Sequence, residues 1–396
     1  MAPPLSGLFV LDLTWALAGP YATMILCDLG AEIIKVEKPG EGDPSRVFGP
    51  FVNGVSSYFA SISRGKKSIA VDFKAEEGRE IIRRLAAKAD VLVENFRPGT
   101  LDKVGLDYEA IKRINHRIIY ASCSGFGSTG PYKNKAAMDV IVQGMAGTMS
   151  ITGEPGRPPV RVGFSIGDIG AGLYLAIGIL TALYERAKSG QGQYLETSLL
   201  DAQLALLENA SARFLLTGDN PQPVGSRHPL ITPFQAFETK DGYMVLGLAT
   251  QKHWHTFLEK VGRTELAEDK RFIDNEARCQ NHAALEPIIN SITKTKSTKE
   301  WLKELEEMGL PCGPVNKMGQ ILTDPHVQQR GMVVEVQDKQ AGTLKLINNP
   351  LIFSRTGAQV KDGIPALGEH TKEVLQRVLG LCEEDLDKLR KCGAIG

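Results

Sequence analysis

The first 200 residues alternate between segments typical of buried strands and segments typical of helices. Apolar runs with few polar breaks suit strands that are covered on both faces, and they occur at 8–13, 31–37, 67–73, 90–96 and 117–126. Helix-like segments separate them, and in 76–89 the apolar residues Ile81, Ile82 and Leu85 follow helical spacing. This alternation predicts an α/β fold with a parallel sheet and helices on both of its faces.

Ligands of such sheets bind at the carboxyl ends of the strands, so the loops there are the first place to look for a site. These loops are predicted at 14–20, 38–46, 95–103 and 125–139. Basic residues are frequent in or near them, namely Lys38, Arg46, Arg64, Lys66, Lys67, Arg97, Lys103 and Lys135. They fit either a basic pocket for a phosphorylated cofactor or charge scattered over a solvated surface.

The pattern of predicted secondary structure changes after residue 200. Residues 201–225 continue a helix into a loop rich in proline and glycine, which is typical of a linker. Residues 226–325 combine a hairpin-like pair, turning at Asp241–Gly242, with charged amphipathic helices, and this predicts a smaller α+β domain. Residues 326–396 return to strand-like segments and end in two helices.

Charge and cysteine usage limit the partners and the compartment. Lys and Arg total 46 and so do Asp and Glu, so no net basic field favours nucleic acid. The six cysteines are scattered without a Cys-x-x-Cys pair; with no targeting segment at the start, they indicate reduced thiols in the cytoplasm. The most apolar stretch, 171–184, is too short to span a bilayer comfortably, and it predicts a buried helix instead of a membrane contact.

A glycine-rich segment around Asp168 is the most suggestive candidate site. A strand-like run ends at Ser165, and Asp168 follows between Gly167 and Gly170, just ahead of a long apolar helix. A helix N-terminus favours an ionised carboxylate, and glycines would let a substrate approach closely, so Asp168 could act as a nucleophile. The same pattern fits a structural helix cap, because Asp is a favoured N-cap residue.

Other motifs give weaker signals. The phosphate-loop signature is absent, and the Gly-x-Gly in 124–130 lacks the spacing of a dinucleotide-binding motif. His253 and His255 have no acidic or thiol partner at metal-ligand spacing. No Gly-x-Ser-x-Gly elbow supports a hydrolase triad. The residues therefore predict neither a metal nor a redox cofactor.

Eight stretches, taken together and in order, carry a resemblance to a known family. They are spread from one end of the chain to the other, at 5–46, 64–74, 91–108, 125–132, 149–159, 167–174, 309–332 and 367–375. The sequence resembles the class III CoA-transferases, which include formyl-CoA and carnitine CoA-transferases. The resemblance implies a Rossmann-like large domain built from both chain ends, a small domain near 226–325, and a homodimer of interlocked rings. A heteromer with a related subunit stays open.

The resemblance also implies site residues. The nucleophilic aspartate of the family falls on Asp168. Contacts to coenzyme A carry over to Leu17, Ala18, Lys38, Val71, Asp72, Phe73, Lys74, Asn95, Phe96, Arg97, Lys103, Ala136, Ala137, Met138 and Asp139. Lys38 and Lys103 replace arginines of formyl-CoA transferase, Leu17 replaces a glutamine, and 245–254 lacks its tetraglycine loop. These departures count against formyl-CoA and oxalate as the substrates.

The activity implied is transfer of CoA from an acyl-CoA donor, with succinyl-CoA as a candidate, to a carboxylic acid. It would proceed through an aspartyl anhydride and an aspartyl-CoA thioester, with CoA as substrate and without a metal or redox cofactor. Two alternatives remain. An α-methylacyl-CoA racemase would need a histidine where Met138 stands, and a non-catalytic CoA-binding subunit is disfavoured because Asp168 is retained.

Overall fold

The chain divides between two structural units in a computed structural model that describes residues 2–361 and 363–396. The first unit comprises the described residues of 1–148, 161–218 and 325–396. The second comprises 149–160 and 219–324. The first unit is therefore built from both ends of the chain, and the second from its middle. Nothing in the sequence indicated that the short segment 149–160 would group with the second unit.

The N-terminal part of the first unit alternates strands and helices. Its strands are β1 (Phe9–Asp12), β2 (Glu32–Glu37), β3 (Phe51–Val52), β4 (Val55–Ser56), β5 (Lys67–Ala70), β6 (Val91–Glu94), β7 (Ile119–Ser124) and β8 (Gln193–Ser198). Its helices are α1 (Ala18–Asp28), α2 (Ser57–Ser63), α3 (Glu76–Ala86), α4 (Tyr108–Ile114), α5 (Asp139–Met145), α7 (Ile166–Ser189), α8 (Leu199–Leu206) and α9 (Glu208–Thr217). Helix α6 (Thr148–Ile151) starts in this unit at Thr148, and its residues 149–151 belong to the second unit. Short 3-10 helices occupy Pro44–Val47 and Asp102–Val104.

The second unit combines an antiparallel sheet with helices. It contains β9 (Phe234–Glu238), β10 (Tyr243–Gly247), β11 (Cys312–Pro314), α10 (Gln251–Val261), α11 (Asn275–Gln280), α12 (His282–Thr293), α13 (Thr298–Glu306) and α14 (Met318–Leu322), with a 3-10 helix at Thr264–Ala267. The sheet order is β11-β10-β9, and Trp254, Phe257 and Trp301 are among the side chains buried beside it. The predicted hairpin turning at Asp241–Gly242 is confirmed, because β9 and β10 pair antiparallel on either side of it.

The C-terminal segment rejoins the first unit. It contains α15 (Pro325–Gln329), β12 (Val333–Asp338), β13 (Gly342–Ile347), α16 (Thr371–Leu379) and α17 (Glu383–Lys391). The backbone N–H of Ala70 in β5 donates to Oγ1 of Thr371, 3.0 Å away, so α16 begins against the edge of the sheet. The side chains of Val374, Leu375 and Leu386 then complete a core that β5 and α3 also line.

The predicted parallel sheet is confirmed. In the described residues six strands pair in parallel, in the order β5-β2-β1-β6-β7-β8. Alternate side chains of each strand enter different cores: Val10 packs with α1 and α7, whereas Leu11 packs with α3 and α16. The strand order reverses between β1 and β6, because the chain leaves β1 toward β2 and leaves β6 toward β7. Such a reversal places a crevice outside the carboxyl ends of the two strands.

Helix α7 differs from its prediction in length. It spans 24 residues, Ile166–Ser189, where the apolar run alone suggested 171–184. Among the described residues it is the helix that is long and apolar enough to cross a membrane, so the argument from short length was wrong. One side of α7 serves packing, since Ala171, Leu175 and Ile179 are buried against the sheet.

Two other local predictions need correction. The strand-like run ending at Ser165 is not a strand, and 162–165 lead directly into α7. The single helix expected at 198–216 is divided into α8 and α9, because the backbone leaves helical geometry at Leu207.

Candidate active site

The predicted contacts to CoA lie in loops at one edge of the sheet, called the carboxyl edge here. Leu17 and Ala18 follow β1, Lys38 follows β2, Val71 to Lys74 follow β5, Asn95 to Arg97 and Lys103 follow β6, and Ala136 to Asp139 follow β7. Because these strands are parallel, their carboxyl ends meet at the same edge. The arrangement brings the segments together, while their contact with CoA stays a prediction.

A row of aromatic rings joins three of these segments. The backbone N–H of Trp15 donates to Oδ1 of Asn95 at 3.0 Å, and Nδ2 of Asn95 donates to the carbonyl of Trp15 at 2.8 Å. The indole of Trp15 stacks on Phe96, with ring centroids 6.3 Å apart. Phe96 meets Phe73 edge to face at 5.6 Å. We call Trp15, Phe96 and Phe73 the aromatic row; Trp15 carried no signal in the sequence.

The predicted contact residues differ in exposure. Val71 has no exposed surface, pairs with Ile395 and donates its backbone N–H to the carbonyl of Glu37 at 2.9 Å, so it offers no surface to a ligand. Lys74, Arg97 and Lys103 are exposed. Lys38 is exposed and forms an ion pair with Glu41.

Asp168 is the third residue of α7 and is partly exposed. The N-cap residue is Ser165, whose side chain makes no capping hydrogen bond. The alternative that Asp168 is the N-cap of its helix is therefore wrong, because Ser165 occupies that position.

Asp139 provides the cap that Ser165 does not. Its Oδ1 accepts hydrogen bonds from the backbone N–H groups of Gly167 at 2.8 Å and Asp168 at 3.3 Å. Its Oδ2 accepts from Nε2 of Gln143 at 2.6 Å. The first residue of α5 thus satisfies N–H groups that a helix start leaves without partners, and it fixes the turn that carries Asp168.

The glycines around Asp168 serve packing. A Cβ on Gly167 would lie 2.5 Å from Nε2 of Gln203, and one on Gly170 would lie 2.7 Å from the side chain of Leu206. A Cβ on Gly172 would lie 2.7 Å from the backbone oxygen of Ala18. All three glycines are buried. The expectation that they open space for a substrate is wrong, because protein atoms fill that space.

The electrostatics at Asp168 also reverse an expectation. Burial, followed by the negative charge of Asp139, raises the pKa of Asp168 to about 7. A helix N-terminus would favour the ionised form, but Asp139 occupies the first amides of α7. A carboxylate whose pKa lies near neutrality changes protonation state readily, as groups at functional sites often do.

Two further residues lie within the electrostatic field of Asp168. Burial and then the charge of Asp168 raise the pKa of the Tyr58 hydroxyl. The same two causes, in the same order, raise the pKa of the Cys123 thiol. Tyr58 lies on α2, and Cys123 lies in β7. Sequence reasoning missed both, since neither stands in a motif with chemical meaning.

A separate cavity of about 740 Å³ opens beside β6, β7 and β8, and Glu94, Ser122 and Tyr194 of these strands line it. Arg97 and Glu94 line it, and burial raises the pKa of Glu94 to about 7. Asp168 is not among its lining residues. In the described part of the chain, no group of three or more His, Cys, Asp or Glu side chains has an arrangement that would hold a metal ion.

A parallel α/β sheet with a strand-order reversal, together with a partly exposed carboxylate in the first turn of a long helix, suits an enzyme that transfers a group through a covalent intermediate. The model of CoA-transferase family III matches residues 5–371. This chain belongs to that family and is a CoA-transferase. Its predicted membership and activity are confirmed.

Similar proteins support this assignment. A succinate–glutarate CoA-transferase of Agrobacterium fabrum is 38% identical over 94% of this chain and 95% of that protein. A succinyl-CoA:glutarate CoA-transferase of Mus musculus is 39% identical over 99% of this chain and 90% of that protein. The crystal structure of a CAIB/BAIF family protein from Brucella suis is 41% identical, with a TM-score of 0.86, over 96% of this chain and all of that one.

Proposed function

We propose that this enzyme transfers CoA from succinyl-CoA to a second carboxylic acid, with Asp168 as the covalent nucleophile. The observation that carries the proposal is the position of Asp168, partly exposed in the first turn of α7 and oriented by Asp139. Succinyl-CoA is the proposed donor because the names of both CoA-transferase relatives described above contain succinate or succinyl-CoA together with glutarate. The same names make a dicarboxylic acid the first acceptor to test.

The proposed mechanism has four steps. The Asp168 carboxylate attacks the thioester carbonyl of succinyl-CoA, expels the CoA thiolate and forms a mixed anhydride. The thiolate attacks the aspartyl carbonyl of that anhydride, which releases succinate and leaves an aspartyl-CoA thioester. The acceptor carboxylate attacks this thioester and again releases the thiolate. The thiolate then attacks the acyl carbon of the acceptor and restores the Asp168 carboxylate.

The CoA molecule is proposed to lie along the carboxyl edge. Leu17, Ala18, Asn95 and Phe96 lie in loops that are bonded to one another, and Phe73 adjoins them. Exposed cations in the neighbouring loops, at Lys74, Arg97 and Lys103, suit phosphate groups. Asp139 contributes by holding the start of α7.

We propose a homodimer, in the interlocked form that the resemblance implied. Large apolar side chains stay exposed on α7 to α9 of the first unit, at Leu173, Tyr174, Ile177, Tyr184, Leu204, Leu206, Phe214, Leu215 and Leu216. Large exposed apolar side chains concentrated on consecutive helices are typical of an interface. Light scattering on the purified chain would give twice the monomer mass, whereas a monomer would contradict this part of the proposal.

The six free cysteines suit a reducing compartment such as the cytoplasm, which cell fractionation would test.

The central experiment traps the covalent intermediate. The enzyme is incubated with succinyl-CoA and hydroxylamine, and peptide mass spectrometry locates the resulting aspartyl hydroxamate. We expect it at Asp168 in the wild type and nowhere in Asp168→Asn. Asp201→Asn is a matched control, because Asp201 is likewise the third residue of its helix, α8. If Asp168→Asn folds and transfers CoA at the wild-type rate, Asp168 is not the nucleophile.

A further inference from the structure

Trp15 stands at the point where the order of the strands reverses. It follows β1 by three residues, and Asn95 and Phe96 follow β6 directly. β1 and β6 are the neighbours between which the sheet changes direction. Ligands of open α/β sheets bind in the crevice at this point. The indole therefore lies at the position where this fold accepts a ligand.

Hydrogen bonds fix the backbone that carries the indole, although the ring itself is partly exposed to solvent. The side chain of Asn95 binds both the N–H and the carbonyl of Trp15, at 3.0 and 2.8 Å. The next residue, Ala16, has a left-handed backbone with φ of 62°, and its N–H donates to Oδ1 of Asp43 at 3.3 Å. Asp43 is itself fixed by a buried ion pair with Lys35 at 2.7 Å. The loop is thus tied to β2 and β6, and its conformation is set before any ligand arrives.

One face of the indole is left open. Trp15 stacks on Phe96 with 28° between the ring planes, yet 47% of its surface stays exposed. The other two tryptophans, Trp254 and Trp301, are 0% and 3% exposed. A large ring that is ordered by its neighbours and still exposed provides a stacking surface, because every base has a π face to place on it.

The surroundings suit a base that carries phosphates. Arg97 follows Phe96, and Lys74 follows Phe73, so exposed cations flank the aromatic row. Lys38 cannot supply a stacking face itself, since an ammonium group lacks the planar surface of a guanidinium. A flat aromatic face between cations is complementary to a purine nucleotide with more than one phosphate.

We infer that the exposed face of Trp15 stacks on the adenine base of CoA, and that the aromatic row determines affinity for the nucleotide half of the substrate. This rests on the proposed function for the identity of the nucleotide, but the base contact itself is independent of Asp168. In the inferred arrangement the pantetheine half, which carries the thioester, does not depend on Trp15. Binding and chemistry are therefore separable by experiment.

The first test uses tryptophan fluorescence and non-reactive ligands. Adenosine 3′,5′-bisphosphate and CoA should quench the emission of Trp15 with saturation, whereas pantetheine 4′-phosphate should not. By calorimetry, Trp15→Leu should bind adenosine 3′,5′-bisphosphate about tenfold more weakly, and Trp15→Phe should retain part of the affinity. Tyr243→Leu, which removes a ring of 55% exposure in the second unit, should bind like the wild type. Circular dichroism checks that each variant is folded.

The second test separates this inference from the transferase mechanism. Trp15→Leu should raise KM for succinyl-CoA about tenfold with kcat unchanged, and leave KM for succinyl-pantetheine as in the wild type. Unquenched fluorescence together with unchanged affinity of Trp15→Leu for the bisphosphate would overturn the inference, even in an active enzyme. A third outcome is that no donor reacts, although the bisphosphate quenches the wild type and binds Trp15→Leu more weakly. The contact with the base is then supported, and the transfer proposal fails.

Discussion

Oδ1 of Asp139 lies 3.3 Å from the backbone nitrogen of Asp168, so one acidic residue caps the helical turn that carries the other. The contact orders the turn through a hydrogen bond from its N–H, and at the same time places a second negative charge near the carboxylate of Asp168. Burial and then this charge raise the pKa of Asp168 to about 7. Asp139 therefore both positions the proposed nucleophile and reduces the fraction of it that is ionised.

The first prediction concerns the pH dependence of covalent adduct formation. The attacking form of Asp168 is the carboxylate, and its raised pKa means that the neutral acid dominates at low pH. The rate of hydroxylamine trapping in a single turnover should therefore rise with pH, with a midpoint near the pKa of about 7. Tyr58 and Cys123 share this environment, but the pKa values of both are raised, so they should stay protonated there. A rate independent of pH around that midpoint would contradict the prediction.

Asp139→Asn should move that midpoint to lower pH. The amide oxygen of asparagine can still accept from the N–H groups of Gly167 and Asp168, while the negative charge that helps to raise the pKa of Asp168 is gone. Asp201→Asn changes an acidic residue at the same position of α8 and should leave the midpoint unchanged. A midpoint that stays in place in Asp139→Asn would show that burial alone sets the pKa.

Asp168→Asn should stabilise the protein at alkaline pH. Because the pKa of Asp168 is raised in the folded state, folding favours the protonated form, and stability falls as pH rises from about 3.8 to about 7. Asparagine cannot ionise, so the variant should resist urea more than the wild type at pH values above about 7, and lose that advantage below about 4. An Asp168→Asn variant that is less stable than the wild type across this whole range would contradict a raised pKa.

The sequence predicted the sheet because its strands are buried on both faces and its helices are periodic. The approximate positions of β1, β2, β5, β6 and β7 followed from apolar runs alone. The length of α7 did not, since polar and glycine residues at its start hid the first turn. Asp168 was singled out by its glycine-rich surroundings and assigned as the nucleophile through the resemblance, but its contact with the residue that caps its turn was not predicted. Asp139 is 29 residues away along the chain, and no local pattern links the two.

The adjacent residues Lys66 and Lys67 allow the stability contribution of a buried lysine to be compared with that of a partly exposed one. Nζ of Lys66 lies 3.2 Å from Oδ2 of Asp12, both side chains are fully buried, and it also donates to Oγ1 of Thr23 at 2.7 Å. Lys66→Met would remove a main counter-charge of Asp12 and should lower the free energy of unfolding by about 3 kcal/mol. The side chain of Lys67 is 29% exposed, and Lys67→Met should cost about 1 kcal/mol or less. Urea denaturation measures the unfolding free energy of both variants. Equal decreases in Lys66→Met and Lys67→Met would contradict a stabilising role for the buried Lys66–Asp12 ion pair.

Two glycines of α7 should respond oppositely to the same substitution. In Gly172→Ala the new Cβ would lie 2.7 Å from the backbone oxygen of Ala18, which cannot move without displacing the start of α1. We expect a loss of about 1–3 kcal/mol in unfolding free energy and a higher KM for succinyl-CoA, because Ala18 belongs to the proposed CoA contacts. In Gly178→Ala the nearest atom is Cδ1 of Leu195 at 3.1 Å, at the end of a side chain that can adjust. The helix propensity of alanine should then make this variant neutral or more stable by up to about 1 kcal/mol. If Gly172→Ala is as stable as Gly178→Ala and binds substrate normally, close packing of α7 on α1 does not position the loop after β1.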